Sequence, residues 1–253
     1  MTKEEILLSK HLKDLAESAW QKGIAVFSDF LNLNEQNVYH SLSNSLSYIH
    51  SELFGGYDFA ERQMAGFFPD GFEAGISSAF PIRAVSIRPQ NSKFAEDLSH
   101  RDYLGALMNL GIDRSTTGDI VLTEDKAIVF CEDTMAGFIC ENLTRVRHTS
   151  VVCGTQDMSD LEYQPETQKV CGTVASIRLD SLMALAFRES RSSLTGMIAD
   201  GRVFVNGKRI TSNAFRLKEG DIISVRGLGR FRYAEEGSGT RKGRLFVRLE
   251  KYI

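Results

Sequence analysis

Apolar positions near the N-terminus recur at the helical interval. Leu12, Leu15, Ala16 and Ala19 share one face, and after an Asn-rich break at 32–37 a second stripe runs through Val38, Leu42, Leu46, Ile49 and Leu53. The spacing predicts two helices, the second capped by Asn34 and ended by Gly55-Gly56. From about residue 62 the pattern changes to strands: Met64 to Phe68, Ile82 to Arg88, Ile120 to Leu122, Ala127 to Cys131 and Thr149 to Cys153. Helices are expected between them, from Arg101 to Leu110 and from Ala136 to Leu143. Beyond a polar stretch at 157–169 and a strand-like Val170 to Ile177, two short helices follow. Leu179, Leu182, Met183 and Ala186 mark the first; Leu194, Met197 and Ile198 mark the second, with Ser190 as its cap and Gly201 at its end. Asn206-Gly207 then separates two short strands, because both residues accept the positive φ of a tight hairpin. Further strands are predicted at 222–225, 230–233 and 245–249.

This order implies an α+β chain of 253 residues in three parts. Residues 1–61 form a helical N-terminal domain. Residues 62–156 form a ferredoxin-like (RRM-like) middle domain, since β-α-β-β-α-β is the split β-α-β arrangement. A connector and strand at 157–176 lead into a small αα-plus-β-sheet domain at 177–253. The middle shows no aromatic signature of RNA-recognition modules on a central strand, so its fold alone assigns no activity.

Charge changes the picture. The formal net charge is −3, yet residues 177–253 hold 16 Lys+Arg against 8 Asp+Glu, while residues 1–176 hold 14 against 25. A basic lobe on an acidic chain is the footprint of polyanion binding, although a solvated basic surface gives the same count. With 42% hydrophobic and 25% charged residues, disorder and collagen are excluded. No run reaches the roughly 18 uncharged apolar residues a membrane helix needs, and the first residues lack a signal peptide's core, so the expectation is a cytoplasmic protein with no membrane partner. Cysteines at 131, 140, 153 and 171 form no C-x-x-C pair and the five histidines are scattered, so no metal and no cofactor is expected.

Four segments carry a resemblance. Arg-Leu-Asp at 178–180, Ser-Arg-Ser at 190–192, the run 198–208 and the run 219–225 resemble the RNA-binding module named after small-subunit ribosomal protein S-four. The segment 99–114, Gly-Asp-Ile-Val-Leu at 118–122 and Arg-Phe-Arg-Tyr at 230–233 are similar to bacterial YlmH-type proteins. The resemblance implies a C-terminal S-four-like domain behind an RNA-recognition-like one. It also implies a ribosome-associated protein of translation quality control, with structured ribosomal RNA, and tRNA, as partners.

The expected RNA contacts are Arg178, Ser190, Arg191, Arg202, Lys208 and Arg209, because guanidinium forks and ammonium groups suit phosphate. Weaker candidates are Arg188, Arg230, Arg232, Arg101 and Arg114, and Arg83, Arg88, Arg145 and Arg147 extend a second basic surface on the middle domain. No catalytic residue is expected. His100-Arg101-Asp102 matches a kinase tripeptide without the motifs that accompany it. Arg178-Leu179-Asp180 resembles the catalytic tripeptide of pseudouridine synthases, but only 73 residues follow Asp180, too few for that catalytic body. A small-molecule substrate is not expected. An RNA-modifying enzyme anchored by the basic module, and a protein-interaction adaptor docking through the acidic part, stand as alternatives.

Overall fold

The computed structural model describes residues 2–73, 75–158, 163–239 and 243–253. The chain divides into two units, Met1–Tyr163 and Gln164–Ile253. In the first, α1 (Lys3–Lys22) is opened by a capping box at Thr2 and closed by Gly23 at φ +63°. Then follow β1 (Val26–Leu31), α2 (Leu33–Ser41), β2 (His50–Phe54) and β3 (Gln63–Phe68), with the strands in the antiparallel order β1-β3-β2. Leu12, Ala16 and Ala19 of α1 bury against Leu31, Ala65 and Phe67 of this sheet. The N-terminal part is therefore not purely helical. The expected second helix stops at Ser41, and the Ser41 and Ser45 hydroxyls bond to the carbonyls of Val38 and Leu42, favouring turns over helix. Its cap is Asn32, whose Oδ1 accepts from the Asn34 and Glu35 amides, rather than Asn34. Met64 to Phe68, placed by sequence with the middle strands, pairs instead on both sides within this first sheet.

A short helix α3 (Ile76–Ala79) leads to β4 (Ile82–Pro89), α4 (His100–Asn109), β5 (Thr117–Leu122), β6 (Ala127–Glu132), α5 (Asp133–Asn142), β7 (Arg145–Val146) and β8 (Thr149–Gln156). The sheet order β5-β6-β4-β8, extended by β7 and antiparallel throughout, is the ferredoxin-like arrangement. Its strands alternate cleanly between two cores. Val85, Ile87, Val129 and Cys131 face α4 and α5, whereas Ala84, Ile128 and Phe130 face Phe30, Met64 and Phe68 of the first sheet. The second face of the central strands β4 and β6 is therefore covered by aromatic packing.

The second unit begins with β9 (Thr167–Val174), followed by α6 (Leu179–Phe187), α7 (Arg191–Ala199), β10 (Val203–Val205), β11 (Lys208–Arg209), β12 (Ile222–Val225), β13 (Gly229–Gly239) and β14 (Leu245–Tyr252). The six strands lie in the order β11-β10-β12-β13-β14-β9. Leu182, Met183, Leu194 and Ile198 pack onto Val203, Ile223, Phe231 and Leu249, seating both helices on one face. Residues 159–162 of the polar connector lie outside the described residues.

Candidate nucleic-acid interface

Two segments converge where α6 starts. The Leu179 amide donates to the Phe215 carbonyl at 2.9 Å, and Arg178 and Arg216 form an antiparallel backbone bridge, so residues 212–217 run beside the helix entrance. Arg178 is the N-cap of α6, and its guanidinium folds onto Asp180 with a two-pronged contact, Nε to Oδ1 at 3.1 Å and Nη2 to Oδ2 at 3.2 Å. Asp180 is only 8% exposed, and the Ser181 hydroxyl donates to the same carboxylate at 3.4 Å. From the start of α7, Arg191 Nη2 reaches the Ser181 oxygen at 3.1 Å. A buried carboxylate and a hydroxyl thus tie two half-exposed or exposed guanidiniums into one network while part of each fork stays outward. Fixing an arginine before it meets phosphate removes ordering entropy from binding. Ser190 is the cap of α7, its Oγ accepting from the Ser193 amide at 3.3 Å. Its primary task is structural. Arg188 occupies the left-handed C-cap of α6 at φ +57° and is exposed.

A second group gathers past the other end of α7, about 14 Å along its axis. Gly201 at φ +68° turns the chain, and a Cβ there would lie 3.0 Å from Arg209 Cδ, so the arginine stem lies over the glycine. Arg202 Nη2 donates to the Arg226 carbonyl at 2.8 Å, which fixes it beside the β12 end. Lys208 and Arg209 are exposed on β11 just after the Asn206-Gly207 turn, which has φ +49° and +76°. The Asn206 side chain locks that turn to β12 through Asp221 and the Ile222 amide. Arg216 joins the first group although sequence reasoning passed over it, since its signal is tertiary, the backbone bridge to Arg178. Arg226 stands over the Phe204 ring at 5.4 Å, on the face of the sheet away from the helices.

Two of the weaker candidates separate from this surface. Phe231 and Tyr233 point into the helix-side core, so Arg230 and Arg232 alternate to the opposite face of β13. There Arg230 covers the Tyr252 ring at 5.0 Å and Arg232 approaches Glu250 at 3.9 Å.

In the first unit Arg114 is not a surface cation. Its Nη1 donates to the Thr117 carbonyl and hydroxyl and to the Gly118 carbonyl at 2.6–2.8 Å, and burial beside Arg62 pushes its pKa down to about 10. Arg62 in turn bonds to the carbonyls of Thr117, Phe30 and Arg114, each at 2.9 Å. Asp119 completes the cluster by accepting from Tyr57 and from the Glu61 and Arg62 amides. Arg101 remains exposed on α4. The kinase-like tripeptide is a helix start: Asp102 accepts from the Ser99 amide and hydroxyl, which with Arg147 holds its carboxyl below the usual range, and burial lowers the pKa of His100. Arg147 itself sits at φ +51°, a left-handed conformation that costs an arginine roughly 1–2 kcal/mol.

The comparisons with known proteins follow this division. Residues 177–223 match the model of the S4 domain, and residues 77–160 match one described as the putative RNA-binding domain in YlmH. Over 225 residues the chain is 31% identical to "Ribosome-associated protein quality control protein P2" of Bacillus subtilis (strain 168), spanning 88% of this chain and 86% of that one. The chain belongs to the YlmH family. The solved "Cell division protein ylmH" of Streptococcus pneumoniae shares its fold with a TM-score of 0.52 at 19% identity, over 63% of this chain and 95% of that one. Within this YlmH-family chain the S4 match begins on the Arg178–Asp180–Ser181–Arg191 network and ends inside β12.

Proposed function

We propose that this chain is a non-catalytic RNA-binding protein of the cytoplasm that holds ribosomal RNA, and tRNA on the large subunit, in the service of translation quality control. The observation that carries the reading is the preset pair Arg178 and Arg191, tethered through Asp180 and Ser181 at the entrances of two packed helices. The ribosome-associated name of the Bacillus subtilis relative supports the setting. The same tether speaks against the pseudouridine-synthase reading of Arg178-Leu179-Asp180. A nucleophilic carboxylate must face its substrate, and Asp180 is buried and engaged by its own Arg178 and Ser181.

Binding of the full chain to purified large ribosomal subunits, followed by co-sedimentation across a salt series, tests the reading. With about four to six phosphates neutralised, the log–log slope is expected between roughly −3 and −5. Association that is flat in salt, or turnover of uridines in the bound RNA, would defeat it.

A further inference from the structure

The covered sheet face leaves the middle of the first unit without the surface that RNA-recognition folds of this topology use. Ala84, Ile128 and Phe130 on β4 and β6 are buried under Phe30, Met64 and Phe68. Its cations collect elsewhere. A cleft of about 510 Å³ opens between α4, the end of α5 and the β7–β8 turn, lined by Arg101, Arg145 and Arg147 together with Asn109, Asn142 and Asp102. Arg101 and Arg145 are exposed, and neither side chain has a hydrogen-bond or ion-pair partner among the described residues. Arg147 is half-exposed and held 3.6 Å from Asp102, whose carboxylate also caps α4 through Ser99. The cleft therefore carries three guanidiniums against one carboxylate that is already engaged twice.

Two local choices at this cleft run against the conformational preferences of their residues. Arg147 takes a left-handed conformation that asparagine or glycine adopts more easily. Gly105 stands inside α4 where alanine would be the better helix former, and the place of its missing Cβ is open space. Strain kept at a hairpin tip that delivers a guanidinium, beside a helix wall kept bare, is the pattern of a ligand site.

We propose that this cleft is a second phosphate-binding site, taking the sugar–phosphate backbone of RNA through Arg101, Arg145 and Arg147. The proposal rests on the RNA-binding reading and adds to it a site on the helix side of the ferredoxin-like sheet. Three arginines from α4, β7 and the following turn suit consecutive phosphates of one strand, to which planar guanidiniums donate in pairs.

The test uses the full chain and a fluorescein-labelled RNA stem-loop with a single-stranded tail, read by fluorescence anisotropy. R101Q/R145Q is expected to weaken binding about tenfold and to make the salt slope shallower by about 1.4, two contacts at roughly 0.7 each. R147N keeps the left-handed turn and removes the guanidinium. It is expected to fold at least as stably as the wild type while binding about threefold more weakly. R178Q/R191Q serves as the reference for the second unit. If R178Q/R191Q loses affinity while R101Q/R145Q and R147N bind as wild type, the cleft proposal is overturned and the broader reading survives. If no variant alters binding and the affinity ignores salt, the broader reading falls as well. Should inorganic phosphate, matched to the RNA in phosphate concentration, abolish the difference between wild type and R101Q/R145Q, the site takes small phosphates and the RNA assignment fails.

Discussion

Arg62 and Arg114 in the first unit and Arg178 and Arg191 in the second are the same chemical group put to opposite uses. The first pair donates inward to backbone carbonyls of Phe30, Arg114, Thr117 and Gly118, in a pocket closed by Asp119. The second pair is anchored by single edges of the fork to Asp180 and Ser181 and keeps the rest outward. Charge counts treat all four alike. What separates them is where the hydrogen-bond donors end, since an arginine whose donors are satisfied internally has little left to offer a phosphate.

Removing the inward kind should have the largest effect. Arg62→Ala removes three hydrogen bonds, to the carbonyls of Phe30, Arg114 and Thr117, and is expected to lower unfolding stability by about 3 kcal/mol. In a chain of this size that is a melting shift of roughly 6–12 °C, readable by calorimetry. RNA affinity per folded molecule should stay unchanged. The outward kind should behave inversely: Arg178→Gln or Arg191→Gln weakens ribosomal RNA binding by about tenfold each, and Arg191→Gln, which leaves no buried carboxylate without its cation, alters stability by less than about 1 kcal/mol. A melting shift for Arg191→Gln as large as that for Arg62→Ala would erase the contrast.

The thiols sharpen the same comparison on a smaller scale. Burial pushes Cys131 up to about 12 and Cys153 up to about 11, from an ordinary thiol near 9.0. Folding therefore keeps protons that the unfolded chain releases, so the stability these groups contribute is intact below about pH 9 and fades as pH rises toward 11 and 12. Denaturation at pH 10 should show a loss of roughly 1 kcal/mol from the buried Cys131 and less from the half-buried Cys153, and Cys131→Ala should flatten that decline. Smallest of all, a disulfide reagent at neutral pH should modify the exposed Cys171 of β9 well before Cys131, as mass spectrometry of partially labelled protein would show.

How far the sequence reveals these features depends on how local they are. The two helices of the second unit, the Ser190 cap, the Gly201 turn and the Asn206-Gly207 hairpin all follow from neighbours within a few residues, and all are present. The stripe Val38, Leu42, Leu46, Ile49, Leu53 misleads, because its helical spacing is shared between α2, a run of turns and β2. β1 is obscured by Ser28 and Asp29 in its centre, and its pairing with β3 sets Phe30 opposite Met64 and Val26 opposite Phe67, a separation that no spacing rule bridges. Arg114 shows the same limit within the site, since nothing near it in sequence announces that Thr117, Gly118 and Arg62 will close around it. The Arg178–Asp180 fork, by contrast, lies within three residues, yet its link to Arg191 needs the packing of α6 on α7.

The position of β9 bears on how the basic module can be handled by itself. The S4 match starts at residue 177, but β9 pairs with β14 along its whole length, from Thr167 opposite Tyr252 to Val174 opposite Leu245. A recombinant fragment cut at the match boundary would expose eight ladder positions of β14 as a naked, sticky rim that invites intermolecular pairing. A clone starting at Gln164 carries its own cover for that rim and is the piece of this molecule suited to stand alone in the test tube.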